Sequence, residues 1–459
     1  MYTTLVSRLL FPLHESLKRH SSVARHRQLE ASQWLSREEL EQLQRDNLRR
    51  FLCRIAEQVP WYTELFARLG FDPAQEDSMA ALRQLPLMDK AVIRAHREEL
   101  IARDAGPLAP FNTGGSSGEP LRFLVGKARK SHDIAAKWRA TRWWGVDIGD
   151  PELVVWGSPV ELGSQDRLRL LRDRMLRSHL LPAFEMSEAN VQRYVDTIVQ
   201  RRPRMLFGYP SALALIASFA ERRNVPLDRL GIKVVFVTSE RLYENQKATI
   251  ERVFGAPTAN GYGGRDAGFI AHQCPAGGMH ISAEDLVVEI LDADGNPLPA
   301  GERGEVVVTH TATHEFPFVR YRTGDLASLS TACCPCGRGL PLLERIEGRT
   351  TDFLLARDGT VLHALSLIYI LRDLEAVREF RIVQESLEEI RLQLVVGDEY
   401  DPALEQQIIA GVRQRLGEVR VVVERLEELP RERSGKFRYV SSKLAVDWSS
   451  AAQPLSGPL

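Results

Sequence analysis

One segment of the chain has the residue types of an anion-binding loop: Phe111-Asn-Thr-Gly-Gly-Ser-Ser-Gly-Glu-Pro120. Gly114, Gly115 and Gly118 permit tight turns and bring bare amides close to phosphate oxygens, and Thr113, Ser116 and Ser117 add hydroxyl donors. A kinase-type phosphate loop would end in Gly-Lys-Ser/Thr. Here Glu119-Pro120 follows Gly118, so that reading fails. A plain Ser/Gly connection is the other reading of the same residues. Four later segments also set polar side chains beside glycine: Asn260-Gly-Tyr-Gly-Gly-Arg-Asp266, Tyr321-Arg-Thr-Gly-Asp325, Glu347-Gly-Arg349 and Arg433-Ser-Gly-Lys436. Taken singly, each has an ordinary explanation. Tyr262 fits a core aromatic, Asp325 a turn acid, Arg349 with Asp352 a surface ion pair, and Lys436 one exposed lysine among many.

A second kind of chemistry is suggested by sulfur. Cys274-Pro-Ala-Gly-Gly-Met-His280 and Cys334-Pro-Cys336-Gly-Arg338 supply three thiols and an imidazole, the donor set of a tetrahedral structural zinc site. Cys333 and His272 are substitute ligands. The alternative is buried free cysteines with a surface histidine. Such a site would pin an antiparallel section rather than act in catalysis.

Composition bounds what these residues can serve. At roughly 150 residues per domain, 459 residues give about three units, and two unequal ones fit as well. Lysine plus arginine number 60 against 61 acids, a net charge of −1, which removes the electrostatic argument for a nucleic-acid partner. No apolar run nears the roughly 20 residues of a membrane-spanning helix. Met1 to Leu13 is mildly apolar but broken by Arg8, with no small-residue cleavage site after it, so no secretory signal is expected. Five cysteines are too few for a disulfide scaffold, and the cytoplasm is the expected location.

The positioning elements follow from periodicity. The first sixty residues are arginine-rich and helical in pattern; Ser36-Arg-Glu-Glu39 is a capping box, followed by Leu40, Leu43, Leu48 and Phe51. A basic amphipathic face there can touch a membrane, though a solvated face is the commoner outcome. Pro60-Trp61-Tyr62 breaks the helix. Leu153 to Trp156, Met205 to Phe207 and Ile232 to Val237 suit buried strands, and Ser211 to Glu221 suits a helix. Val191, Tyr194, Val195, Ile198 and Val199 trace the apolar stripe of another. Such alternation implies a layered, largely parallel α/β domain. Beyond Gly255, Leu286 to Leu291, the turn at Asp294-Gly295, and Glu305 to Thr309 suit an antiparallel section. Phe380 to Val383, Arg391 to Val396 and Val419 to Val423, with a helix through Leu404, Ile408, Ile409, Val412 and Leu416, form a smaller α+β unit. Residues 447–459 suit a frayed tail.

In order and spacing, the glycine loop and the four later segments resemble the acyl-adenylate-forming superfamily. Within it the chain is most similar to the phenylacetate–coenzyme A ligase and capsule-biosynthesis (CapK-like) branch. Pro60-Trp-Tyr-Thr-Glu-Leu-Phe66 and Leu85-Pro-Leu-Met-Asp-Lys90 resemble that branch's opening section, so the likeness runs from about residue 40 to 445. The resemblance implies an α/β adenylation domain over 1–348 and a hinge at 349–352. A small mobile α+β domain would follow over 353–446, then a flexible tail over 447–459. It implies that a carboxylate attacks the α-phosphorus of ATP, giving an acyl adenylate and pyrophosphate, and that a thiol then takes the acyl group. By the same resemblance Thr113 to Gly118 hold the β- and γ-phosphates, Tyr262 flanks adenine between Gly261 and Gly263, and Asp325 binds both ribose hydroxyls. Asp266 holds Mg²⁺, Arg349 reaches the ribose or phosphates, and Lys436 supplies positive charge during adenylation. Some relatives carry a zinc site with Cys-x-Cys-Gly-Arg, which supports Cys274, His280, Cys334 and Cys336 as its ligands.

An apolar pocket for the acid is expected from Trp156, Phe207, Gly208, Tyr209 and Pro210, with Ser239 and Glu240 at a strand end beside the nucleotide. Two positions depart from the pattern. Relatives often have glutamate where Asp266 stands, and Asp or Lys at the hinge where Thr351 stands. Coenzyme A is the leading acceptor, with a carrier-protein thiol or a saccharide amine next. A nucleotide-binding homologue without turnover and a zinc-bearing scaffold are the competing readings.

Overall fold

The computed structural model describes residues 1–75, 78–113, 121–157, 167–183, 185–347, 353–358, 360–363, 365–372, 374, 376–397, 399–427, 429 and 440–444. These fall into two compact units. One comprises residues 1–113, 121–150 and 259–347, and the other residues 151–258 and 353–444. The mixed α/β class expected above, with a smaller C-terminal α+β region, is the class observed.

In the first unit the capping box at Ser36 is formed. The Glu39 amide donates to Ser36 Oγ at 3.2 Å and the Ser36 amide to Glu39 Oε2 at 2.8 Å, starting the helix Arg37–Gln58. Its buried face is Leu40, Leu48, Phe51, Leu52 and Ile55. Pro60 ends that helix and occupies the first turn of the next, Pro60–Leu69, where a missing amide costs nothing. Seven antiparallel strands follow in the spatial order Leu286–Leu291, Gly304–His310, Phe318–Ser330, Leu342–Glu347, Met279–Ile281, Gly268–Gln273 and Thr258–Gly264. Phe123, Phe316, Phe318 and Tyr321 pack with the Arg37–Leu69 helices into one continuous core. Periodicity gave no sign of the helix Lys127–Trp143, which buries Arg129, Ser131, His132 and Arg139.

The second unit holds a parallel sheet in the order Val234–Thr238, Met205–Gly208, Glu152–Trp156 and Ser178–Pro182. Helices Glu188–Arg201, Pro210–Arg222 and Glu244–Phe254 supply its apolar cover. Val199, part of the expected stripe, is 40% exposed, because at about 100° per residue it lies about 80° round the helix from Val191, at the edge of the buried face. The same unit includes a three-stranded sheet of Phe353–Leu355, Val361–His363 and Glu185–Met186. Its α+β part has strands Arg420–Arg425, Glu389–Val396, Val377–Gln384 and Val440–Ser442, with helices Leu365–Arg372 and Pro402–Leu416.

Candidate functional site

On the antiparallel sheet, Thr323-Gly-Asp325 is a bulge. Glu305 pairs with Leu326 and Val307 with Arg322, so residues 323–325 stand opposite Val306 alone. Thr323 Oγ1 donates to the Val306 carbonyl at 2.8 Å and accepts from the Asp325 amide at 3.1 Å, while Gly324 takes φ 75°. A β-branched hydroxyl and a glycine are what this geometry needs, because only glycine adopts positive φ without strain. Asp325 is thereby lifted from the ladder, and Tyr262 Oη donates to its Oδ2 at 3.1 Å.

Tyr262 lies on the strand Thr258–Gly264, where Gly261 pairs with His272 and Gly264 with Gly268. Arg265, Asp266 and Ala267 form the tip of this hairpin. A Cβ at Gly263 would meet the Gly268 carbonyl at 2.1 Å, so the two strands close without room for a side chain. At the tip, Asp266 Oδ1 accepts from the Ala267 amide at 3.0 Å and Oδ2 from Tyr321 Oη at 2.7 Å. Behind it the buried Arg129 grips Asp133 through Nε, at 2.9 and 3.0 Å, and donates to the Asp266 carbonyl at 3.1 Å. Tyr321 stands in a motif already singled out above, but its role there was missed, and Arg129 gave no signal. Just before Tyr321, Arg320 holds φ 47°, a conformation that costs a non-glycine residue of order 1–3 kcal/mol. Its guanidinium bonds Glu289 at 3.0 and 3.1 Å and the Leu85 carbonyl at 2.8 Å, which keeps it there.

Thr113 is buried at the end of the hairpin Ala109–Asn112 and Arg122–Val125. Its amide donates to the Leu121 carbonyl and its hydroxyl accepts from the Leu121 amide, both at 3.0 Å, so the two ends of the glycine loop are clamped together. Gly114, Gly115, Ser116, Ser117, Gly118, Arg349 and Lys436 lie outside the described residues.

In the second unit, Trp156, Gly208 and Ser239 stand at or just past the carboxyl ends of adjacent parallel strands, the edge where α/β sheets bind ligands. Trp156 stacks on Tyr209 with ring centroids 4.4 Å apart, and Phe207 lies 6.0 Å from Trp156. A Cβ on Gly208 would lie 2.2 Å from the Val155 carbonyl, so the backbone passes too closely for any other residue. Pro210 opens the helix Pro210–Arg222, and Glu240 Oε2 accepts from Ser211 Oγ at 2.6 Å at that helix's first turn. Ser239 holds φ 72°, a strained conformation at the strand end.

The sulfur residues converge in the first unit. Cys274, His280, Cys334 and Cys336 place their donor atoms within 4.8 Å of one another. Cys274 and Cys334 Sγ are 3.5 Å apart, near the about 3.8 Å expected of two thiolates on one tetrahedral zinc. Cys336 Sγ lies 3.2 Å from His280 Nε2. His280 Nδ1 faces the Leu340 carbonyl at 3.3 Å, a contact that directs Nε2 toward the sulfurs. Two turns shape the cradle: the Cys274 amide donates to the Gly278 carbonyl, and the Gly337 amide to that of Cys334. A Cβ at Gly278 would meet Cys334 Sγ at 2.7 Å. Burial, then the hydrogen bond with Cys334, pushes the Cys274 thiol up to about 12. Burial would also raise Cys336, but hydrogen bonds from Arg338 outweigh it and its pKa is lowered. Burial lowers His280 to about 4, which keeps its imidazole neutral. The donor set fits zinc. Of the substitutes, Cys333 is exposed, and His272 is buried outside the cluster.

These geometries can be set beside known proteins. Residues 354–443 match the family model of the CapK C-terminal domain. The chain is 25% identical over 407 residues to the phenylacetate–coenzyme A ligase of Thermus thermophilus, covering 82% of this chain and 86% of that protein. It is 24% identical to protein CapK of Staphylococcus aureus, covering 79% and 80%. The fold is shared with 2-hydroxyisobutyryl-CoA ligase in complex with 2-HIB-AMP and CoA in the thioesterification state, at TM-score 0.63. That match has 22% identity and covers 90% of this chain and 91% of that one. The resemblance to adenylate-forming acid–CoA ligases read from the motifs is therefore present in both sequence and fold. Within that class, the chain is similar to the phenylacetate–coenzyme A ligases and CapK.

Proposed function

We propose that the protein is an AMP-forming acid–thiol ligase. It condenses a carboxylic acid with ATP and passes the acyl group to a thiol, coenzyme A first among the candidates. In the first half-reaction the carboxylate oxygen forms a bond to the α-phosphorus and the bond to the β-phosphate oxygen breaks, so pyrophosphate leaves with the electron pair. In the second, the thiol sulfur bonds the acyl carbon and AMP departs.

The observation that carries this reading is the pair of tyrosine-held carboxylates. Asp325 on its bulge is held by Tyr262 and Asp266 on its hairpin by Tyr321, in a chain similar to a phenylacetate–coenzyme A ligase over 82% of its length. Asp325 has two carboxylate oxygens, enough to accept from two ribose hydroxyls. Asp266 offers one carboxylate, which with substrate phosphates is the usual way Mg²⁺ is held. The ion would neutralise phosphate charge when bound. Thr113 and the glycine loop receive the β- and γ-phosphates, Arg349 and Lys436 supply cations, and residues 349–352 form the hinge of a mobile small domain. Trp156, Phe207, Tyr209 and Pro210 line the acyl side, with Ser239 and Glu240 next to the nucleotide. Cys274, His280, Cys334 and Cys336 hold a structural zinc that ties two turns of the antiparallel unit. The cytoplasm, where coenzyme A and reduced thiols coexist, suits this chemistry, and no helix among the described residues is long and apolar enough to cross a membrane.

The test is pyrophosphate release across a panel of carboxylic acids, with coenzyme A, amines and carrier proteins compared as acceptors. Acid-dependent release followed by acyl-CoA formation is the expected result. Tight ATP binding with no release for any acid would instead make the protein a nucleotide binder without turnover.

A further inference from the structure

The stretch Tyr2–Leu17 is helical throughout, and its apolar stripe faces outward. Leu5, Leu9, Leu13 and Leu17 are 46, 57, 56 and 78% exposed, whereas Val6, Ser7, Phe11 and Glu15 are buried. The orientation is fixed by inward contacts. Phe11 packs edge-on against Trp138 with centroids 5.3 Å apart, and Thr3 Oγ1 donates to Asp150 Oδ1 at 2.9 Å. Val6 fills the space over Gly149, where a Cβ would come within 2.6 Å of its own. Glu15 accepts from Ser22 and sits 3.1 Å from both His14 and His20.

In a regular α-helix, residues four apart drift by about 40° per step, so a long i, i+4 series winds around the axis. Val6–Leu10 is instead a π-helical turn, whose wider winding offsets part of that drift at the start of the series. Such a turn inside an α-helix is rare and concentrates at functional sites. Four leucines exposed to this degree offer on the order of a few hundred Å² of apolar surface, comparable to the largest patch of a typical monomer, which is often functional.

Charge says what covers it. The exposed ionised side chains of the stretch, Arg8, Lys18 and Arg19, are all basic, and its single acid, Glu15, is turned inward. Lys130 lies near both Lys18 and Lys127. Burial first, then the charges of Lys18 and Lys127, lowers the Lys130 pKa, with Glu315 partly offsetting them. Two copies meeting through this face would press like charges together. We infer that residues 2–19 lie flat on an anionic lipid surface, the leucines entering the boundary of the acyl chains and Arg8, Lys18 and Arg19 meeting the headgroups.

Flotation of the full-length protein with phosphatidylcholine vesicles, with and without phosphatidylglycerol, tests this. The wild type is expected to float with the anionic vesicles and far less with the neutral ones. The Leu9→Gln/Leu13→Gln double variant, altered only at exposed positions, should keep its Tm and its adenylation in solution while losing about tenfold or more of the binding. Lys18→Gln and Arg19→Gln should each lose about fivefold. Failure of the wild type to float overturns the inference, as does leucine-independent binding. So does a wild-type dimer, seen by sedimentation velocity without lipid, that the leucine changes dissociate; the face would then join two copies. Flotation, Tm and sedimentation do not depend on the acid or acceptor proposed above, so they read the inference separately from that function.

Discussion

Tyr262 and Asp325 are 63 residues apart in the chain, yet the tyrosine hydroxyl bonds Asp325 Oδ2 at 3.1 Å. The bulge at residues 323–325 puts the carboxylate where the neighbouring hairpin can reach it. Tyr262→Phe removes one bond to a charged acceptor. If Asp325 binds the ribose as proposed, this change should raise KM for ATP about tenfold with little change in kcat, because the lost bond, worth about 1.5 kcal/mol, would orient a group serving substrate and transition state alike. Asp325→Ala should cost on the order of a hundredfold or more in kcat/KM. ATP-dependent pyrophosphate release measures both.

Tyr321 fixes Asp266 in the same fashion, at 2.7 Å. Tyr321→Phe leaves the carboxylate less well oriented, so the Mg²⁺ concentration for half-maximal activity should rise about fivefold, the equivalent of one ordinary hydrogen bond. Asp266→Asn should remove most of the Mg²⁺ response. A magnesium titration of adenylation checks this, and an unchanged midpoint in both variants would take the ion away from Asp266.

Purified protein should contain near-stoichiometric zinc, and Cys336→Ser and His280→Gln should each lose it. The loss should lower Tm by on the order of 10 °C while pyrophosphate release persists below the new midpoint. Elemental analysis with a thermal melt decides. Zinc-free wild type with intact ATP binding would mean that the cluster is a set of buried thiols.

Stability should fall on mild acidification. Burial holds His26 and His272 at about 3 and His310 well below its ordinary value, so all three are neutral in the folded protein. Unfolded, each takes a proton near pH 6.5. Between that value and about 3 the unfolded chain therefore binds more protons, and stability present above pH 6.5 is lost as pH falls. Each group contributes up to about 1.4 kcal/mol per pH unit. Melting between pH 7.5 and 5 should show this slope, and His272→Gln should flatten it.

Lys436 lies outside the described residues, and its role is tested by splitting the reaction. Lys436→Ala should cut adenylation by on the order of a hundredfold or more while leaving thioester formation from supplied acyl adenylate nearly intact. Equal losses in both halves would contradict the assignment.

Elements with an apolar stripe were legible in the sequence. The helix Glu188–Arg201 and the strands Met205–Gly208 and Leu286–Leu291 all announce themselves by spacing and are found where expected. The helix Lys127–Trp143 does not, because its inward residues include Arg129, His132 and Arg139, which periodicity assigns to solvent. Their burial rests on partners far along the chain, Arg139 on Glu284 and Arg129 on the carbonyl of Asp266. The same limit hid Tyr321: its motif was visible, but its partner Asp266 is 55 residues upstream. Turn chemistry is local and could be read; polar contacts between distant segments could not.

The hairpin at Arg265-Asp266-Ala267 has a consequence for ligand association. Gly263 and Gly268 meet with no slack, and Arg129 holds the Asp266 carbonyl from behind. The backbone there has already surrendered its conformational freedom during folding. If this corner holds the ion as proposed, binding would find the backbone already ordered, and less of its affinity would go to ordering the chain.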